Sequence, residues 1–433
     1  MSTRPVRTGL RLTRRGWWFV ASAAVGIIAA YASGSLQLLY VACLIAVLPL
    51  IAIALMLLRR PRVTAARSFV PRVVQAGSTT TVTLKVSNAA PWASLPAAWR
   101  DVLPWHPFTT DEQILPAMDA RGARFAARNH AALEYELTPP RRGIVPVGPL
   151  FVEVRDPFGL AVSRAVVGEP ELLTVTPEVV PLADSGLSIP AGDGESRLVQ
   201  RRAAGDEDDA MTREYRAGDA MRRVHWRASA RLGDLMVRQE EQRSFPEARI
   251  VIDTTSRGYR DAEDGESDAF EWVVRMLASV AVHLRRMGFQ IVIEESGPAQ
   301  LDEAGSGRRR TWGDEEFLSR LASLHLTDTA EQPAMPRAVS GPVIAIVGTP
   351  SSATVEWMLA HRRPGEFAVA FLVRSTTSLD LIDRSFGVPA SAAQLDERLV
   401  DAGWLVVPVR SADDHAAAWQ AVVVELGRSR GLG

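Results

Sequence analysis

Two adjacent runs decide the architecture: GWWFVASAAVGIIAAYASGS, Gly16 to Ser35, and LQLLYVACLIAVLPLIAIALMLL, Leu36 to Leu58. Neither contains a charged residue, and each is close to the ~20 residues a helix needs to cross a hydrocarbon core. Gly34-Ser35 reads as a tight turn, so the pair predicts a transmembrane hairpin over residues 16–60. Arg4, Arg7, Arg11, Arg14 and Arg15 precede it, Arg59, Arg60 and Arg62 follow it, and the turn is uncharged. Cytoplasmic flanks are the arginine-rich ones, which places both ends of the hairpin in the cytoplasm. Trp17, Trp18, Tyr31 and Tyr40 lie near the ends of the runs, as interfacial aromatics do. A secretory signal peptide has a similar basic start, but a second full-length apolar run and the lack of a convincing small-residue cleavage site before it argue against one. The expectation is a multi-pass protein of the cell membrane, held in the lipid bilayer by its hairpin, with a basic cytoplasmic N-terminus (1–15) and cytoplasmic soluble domains.

Composition narrows the chemistry. At 433 residues the chain is too long for one compact core, and two or three domains are expected. A formal net charge of −1 shows no nucleic-acid footprint, although no Asp or Glu precedes Asp101. The single cysteine, Cys43, lies inside the second apolar run, which speaks against intrachain disulfides, thiolate zinc sites and cysteine catalysis. Lys85 is the only lysine, and it sits in an alternating segment. A Walker A loop or a Schiff-base lysine is therefore not expected, nor is ATP hydrolysis by the chain itself.

After the hairpin the pattern changes. From Arg62 to about Pro177 short runs alternate apolar and polar residues between turn residues. Thr79 to Ser87 puts Val82, Leu84 and Val86 on one face, and Leu133 to Leu137 and Val145 to Val154 alternate likewise. Such strands predict a small antiparallel β-sandwich, read as an immunoglobulin-like spacer over 62–177 whose last strand is Leu172 to Val175. Residues 178–247 form a polar connection and a distinctive arginine-rich segment. Over 248–433 continuously apolar strands (Ala248 to Ile252, Phe289 to Ile293, Val343 to Val347, Phe367 to Val373, Leu405 to Val409) alternate with helical patterns (Phe270 to Met287, Asp314 to Leu324, Ala353 to His361, and one from Asp413). That alternation predicts an α/β, Rossmann-like domain with a mostly parallel sheet covered on both faces.

Two segments carry candidate chemistry. In Tyr215 to Arg231, Gly218-Asp219 reads as a turn whose carboxylate caps a helix ending near Gly233. Met221, Val224 and Ala228 would share one face of that helix, with Arg222, Arg223, Arg227 and Arg231 on the others. Two readings stand: an amphipathic helix with its arginines paired to nearby carboxylates, or a docking surface for an acidic or phosphorylated ligand. His225 has no nucleophile or metal-ligand spacing around it, so no catalytic residue is assigned.

The second segment, Asp253-Thr254-Thr255-Ser256-Arg257, follows a strand. A carboxylate and hydroxyls at the carboxyl end of a parallel strand can hold Mg²⁺ through oxygen. It resembles the metal-ion-dependent adhesion motif, Asp-x-Ser-x-Ser, of von Willebrand factor type A domains. Asp253 matches the first position and Thr255 supplies the third. Arg257 replaces the last hydroxyl, and the later loop Gly348-Thr349-Pro350 offers no carboxylate. Metal held by Asp253 and Thr255 stands against a plain strand-end turn closed by Asp253 and Arg257.

The run Tyr215, Gly218-Asp219, Arg222, His225-Trp226, Ser229-Ala230-Arg231, Leu235 and Val237 resembles the bacterial family known as domain of unknown function 58. Arg141-Arg142-Gly143, Asp156-Pro157-Phe158-Gly159-Leu160 and the hairpin resemble it too. The resemblance implies a cytoplasmic von Willebrand factor type A-like domain acting in protein–protein interaction and not as an enzyme. It implies a MoxR-type AAA+ ATPase as partner, with a transglutaminase-like membrane protein as a further associate, in a chaperone-like or cell-envelope role. The alternatives are a membrane scaffold with no ATPase partner and a metal-assisted hydrolase centred on Asp253. Nucleic-acid binding is not expected.

Overall fold

The computed structural model describes residues 9–59, 62–122, 129–184, 212–215, 221, 224, 226–238, 246–262, 266–301, 313–328, 341–374 and 390–429. The chain divides into two units: Met1–Glu178 with Trp312–Leu324, and Val179–Thr311 with His325–Gly433.

The first unit begins with strand β1 (Gly9–Leu12) and helices α1 (Arg14–Ser33) and α2 (Leu36–Leu58). Thr13 caps α1 by accepting the Gly16 N–H, and Gly34 ends it with a φ of 61°, a left-handed turn that glycine adopts without strain. Ser35 then caps α2 through the Leu38 N–H, so the turn falls at Gly34-Ser35 as expected. Both helices are long and apolar enough to cross a membrane, and little of either is buried within the chain. Trp17, Trp18, Ile28, Tyr31, Leu44 and Leu58 all point outward.

Three sheets follow. One runs β1, β10 (Ala161–Val167), β9 (Leu150–Arg155), β5 (Ala97–Asp101), β6 (Gln113–Leu115). The second is β2 (Val63–Val70), β4 (Thr80–Asn88), β7 (His130–Leu137), and the third is β3 (Val73–Gln75), β11 (Glu171–Thr176), β8 (Gly143–Val147). Val82, Leu84 and Val86 of β4, Trp99 of β5 and Val152 and Val154 of β9 meet in one core. Alternation along each strand turns these residues to the same side, which is why the pattern was readable. Three features depart from expectation. The run Val145 to Val154 is two strands, broken at Gly148 (φ 102°) and Pro149. The pairing of β3 with β11 is parallel, so the sheets are not purely antiparallel. And β1, within the basic N-terminal segment, pairs along its whole length with β10, from Gly9 opposite Arg164 to Leu12 opposite Ala161.

That pairing ties the residues before the hairpin to a strand after it. The Asp156-Pro157-Phe158-Gly159-Leu160 turn completes the join. Asp156 accepts the N–H groups of Phe158 and Ala161, at 3.1 and 2.7 Å, and so shapes the turn. The carbonyls of Gly159 and Leu160 then accept the hydroxyl (2.7 Å) and N–H (2.9 Å) of Thr13. Gly16 lies so close that a Cβ would overlap the Leu160 carbonyl. From the other helix, Ala52 and Met56 enter the same core as the sheets.

A buried ion pair pins two sheets together. Arg67 of β2 donates to both carboxylate oxygens of Asp101 in β5, at 2.8 and 2.6 Å, with neither side chain reaching solvent. Tyr135 of β7 donates to the same carboxylate at 2.5 Å. Burial first, and the Asp101 charge next, push the Tyr135 phenol far above its ordinary range, so it serves as a neutral donor.

The second unit has a five-stranded, all-parallel sheet in the order β15 (Gln290–Glu295), β14 (Glu247–Ile252), β16 (Val343–Val347), β17 (Ala368–Arg374), β18 (Leu405–Arg410). Helices cover both faces, as continuous apolar strands require. Ala370 and Leu372 of β17 pack with Val355 and Met358 of α6 (Ser352–Ala360) and Leu399 of α7 (Ala390–Asp401). Phe371, between them, lies against Trp272 of α4 (Asp268–Arg286) and Trp419 of α8 (His415–Ser429). The unit also holds α3 (Trp226–Leu232) and the hairpin-like pair β12 (Thr212–Glu214) and β13 (Met236–Arg238). Helix α5 (Asp314–Ser323) falls among these strands in sequence but belongs to the first unit. It packs on β11 and β8, with Phe317 and Leu321 fully buried, and so is not a layer of the α/β sheet. The polar connection lies outside the described residues from 185 to 211.

Candidate functional site

The successive strands β14 and β15 lie side by side, and the chain then crosses to place β16 on the other edge of β14. A reversal of this kind opens a crevice at the carboxyl ends of the strands, where α/β sheets hold their ligands. Asp253 stands there, one residue past β14, only 1% exposed. Its Oδ1 accepts three hydrogen bonds: the Thr255 N–H (2.9 Å), the Thr255 hydroxyl (2.7 Å) and the Ser296 hydroxyl (2.5 Å). Oδ2 faces Gly258 so closely that a Cβ there would overlap it. The Tyr259 hydroxyl donates to the Asp253 carbonyl at 2.7 Å. Burial, followed by the neighbouring Asp253 and Asp261 charges, pushes the Tyr259 phenol well up, so it too stays protonated.

The chain itself fills the crevice. The single turn Ser256–Gly258 folds over Asp253, the Gly258 carbonyl accepts the Thr349 N–H at 2.7 Å, and a Cβ on Gly348 would overlap that carbonyl. On the other flank the Thr327 N–H donates to the Thr254 carbonyl (2.9 Å), the Ser256 N–H to the Thr327 carbonyl (3.0 Å), and the Ser256 hydroxyl to Asp328 (2.5 Å). Two glycines and a set of short hydroxyl side chains are what permit this closeness. Beyond β16 and β17 a cavity of about 20 Å³, lined by Thr349, Leu372, Arg374 and Asp396, has room for a water-sized group. There Arg374 donates to Asp396 at 2.9 Å, while burial outweighs it and raises the Asp396 carboxyl.

Asp253 and Thr255, the pair read as a metal motif, are thus brought together, but the threonine hydroxyl donates to the carboxylate. One oxygen already takes three hydrogen bonds and the other lies against Gly258, a donor set that fits Mg²⁺ poorly. Among the described residues no group of three His, Cys, Asp or Glu stands close enough to hold a metal. Nor does Arg257 bond to Asp253. Ser296 and Gly258 close the turn in its place, and spacing along the chain gave no sign of Ser296, which arrives from the end of the neighbouring strand.

The arginine-rich segment is described in part. Gly218, Asp219, Arg222 and His225 lie outside the described residues. The Tyr215 N–H donates to the Leu235 carbonyl at 2.7 Å, extending the β12–β13 pair. The Ser229 hydroxyl accepts the Met236 N–H at 2.8 Å and so ties α3 to β13, a structural role. The helix is shorter than expected, starting at Trp226 and ending before Gly233, whose φ is 85°. Val224 is buried while Met221 is exposed, so the apolar face expected of Met221, Val224 and Ala228 does not form on one helix. Arg231 lies in the last turn of α3, where a cation suits the helix dipole. Trp226 (65% exposed), Met221 and Leu235 present large apolar side chains to solvent.

No curated protein matches the chain. Among solved structures, the CARDB domain of a Pyrococcus furiosus protein, in complex with di-metal ions, is 13% identical over 25% of this chain and 89% of that one, with a TM-score of 0.18. The Bacillus subtilis sporulation control protein is 8% identical over 26% and 49%, with a TM-score of 0.13. Bacteroides uniformis beta-glucuronidase 2 is 9% identical over 84% and 32%, with a TM-score of 0.17. At such scores these likenesses carry no argument. The signature is the informative part: residues 211–295, from β12 through α3, β14 and the Asp253 turn to the end of β15, match the family model described as "Protein of unknown function DUF58", the family that Tyr215 to Val237 resembles.

Proposed function

We propose that the chain is a membrane-anchored interaction protein whose α/β unit, read as von Willebrand factor type A-like, engages a MoxR-type AAA+ ATPase from the cytoplasmic face. The observation that carries it is Trp226, an exposed apolar side chain within the signature, as Met221 and Leu235 also are. Solvent-exposed tryptophan beside arginine is the composition of interface anchors. Two further features support the reading. Pairing of β1 with β10 ties the start of the hairpin to the sheets, and Ala52 and Met56 tie its end to the same core, in keeping with arginine on both flanks. The switch-point crevice is occupied by the Ser256–Gly258 turn, which suits a module that binds by its surface better than a hydrolase centred on Asp253. The layered sheets, read as an immunoglobulin-like spacer, would then seat the hairpin.

The full chain, solubilised in mild detergent, is the material for the test. Wild type should capture the MoxR-type ATPase encoded in the same cells, and Trp226→Ala should lower recovery roughly tenfold at unchanged folding. Equal recovery by both would remove the signature surface as the contact. Capture of no ATPase with or without ATP would leave a membrane scaffold.

A further inference from the structure

We infer that the foot of α2 holds the phosphate of an anionic phospholipid headgroup on Arg59 and Arg62, beside Trp92. The inference rests on the membrane reading of the hairpin. Leu58, the last residue of α2, is an outward-facing leucine, and Arg59 follows it immediately, so both arginines stand where an apolar span meets the headgroup layer.

The site is built, not incidental. Buried Asn88 donates to the carbonyls of Trp92 (2.8 Å) and Asp119 (3.0 Å) and accepts the Ala90 N–H (3.0 Å), fixing the loop that carries Trp92. The Ala89 N–H donates to the Arg62 carbonyl at 2.7 Å, and the Arg62 guanidinium lies over the Trp92 ring, 5.6 Å from its centre. Arg59, Arg62 and Trp92 line the same small pocket as Leu115 and Val152. The pocket they line, about 20 Å³, has room for a water-sized group only, so a phosphate would rest on the arginines and not within it.

Charge selects which lipid. Among the described residues neither Arg59 nor Arg62 bonds a carboxylate, and the first carboxylate of the chain, Asp101, is taken by Arg67. Two guanidinium groups that meet no carboxylate among the described residues, one of them lying over an indole, suit the bidentate recognition of a phosphate. Anionic headgroups are then favoured over zwitterionic ones.

The test is native mass spectrometry of the full chain in detergent, with phosphatidylglycerol or phosphatidylcholine added at equal concentration. Wild type should retain phosphatidylglycerol roughly tenfold more than phosphatidylcholine, and Arg59→Gln with Arg62→Gln should abolish the difference. Arg14→Gln with Arg15→Gln removes the same charge elsewhere and should leave most of it. An equal loss in both double variants would mean a diffuse basic belt and overturn the site. Displacement by inorganic phosphate would overturn the assignment to a lipid. Resistance of the wild type to carbonate extraction checks the membrane reading by itself, so its failure is separable from failure of the headgroup site.

Discussion

Asp101 and Asp253 are both buried, one in each unit, and are held in opposite ways. Asp101 faces a guanidinium in two-pronged contact and takes a phenol as well. Asp253 is held by an amide and two hydroxyls and, among the described residues, bonds to no cation. A charge removed from water costs several kcal/mol unless compensated, and removing one partner of a buried pair strands the other. The first carboxylate is therefore inseparable from its fold. The second sits on hydrogen bonds that a neutral side chain can partly replace, which makes it the place where fold and function can be tested apart.

The largest expected effect follows from that contrast. Asp101→Asn leaves Arg67 buried without its counter-charge and should cost about 3–5 kcal/mol. Denaturant unfolding followed by hydrogen exchange in β2, β5 and β7 measures it. A loss under about 1 kcal/mol would show that the pair does not hold the sheets.

The units should also part under acid. The buried histidines His283, His361 and His415 all lie in the second unit, whereas His106 and His130 of the first are exposed. His415 stacks on Trp272, 4.5 Å between ring centres, and burial lowers it from 6.5 to about 4. Below 6.5 the unfolded chain binds the proton and the folded one does not. Stability is thus complete above that value and is lost as pH falls toward about 4. The shift corresponds to roughly 3 kcal/mol at most. Hydrogen exchange at pH 7 and pH 4.5 should show protection falling first around α4 and α8, and His415→Phe should blunt the change. Equal loss in both units would break the comparison.

How far each region could be read from sequence follows the same division between local and distant contacts. The hairpin was legible because charge-free runs and a Gly-Ser turn are local. So were β14, β16 and β17, whose apolar residues are consecutive. By contrast, β1 is four residues inside a basic flank, and only its pairing with β10 makes it a strand. Helix α5 has an ordinary amphipathic pattern, and nothing in that pattern says which sheet it covers. Arg67, Asp101 and Tyr135 stand 34 residues apart in turn, a spacing with no periodicity to betray it. At the candidate site the same limit holds. Asp253 and Thr255 were found because they are two residues apart, while Ser296 comes from 43 residues away through the parallel pairing of β15 with β14.

The smallest effect is the most discriminating. Asp253→Asn keeps an acceptor oxygen for Thr255 and Ser296 but removes the charge. If the carboxylate only closes the turn, stability should fall by about 1 kcal/mol, the value of one or two weakened hydrogen bonds, and ATPase capture should be unchanged. Asp253→Ala should cost more, since three donors then lose their acceptor. A neutral asparagine that leaves stability intact yet abolishes capture would mean that the charge itself is used, by a cation or by a partner's guanidinium reaching past Gly258. Adding Mg²⁺ to wild type separates those two, because only the first responds to the metal. The carboxylate that the fold can spare is then the one the partner needs, and the Ser256–Gly258 turn would have to open to expose it.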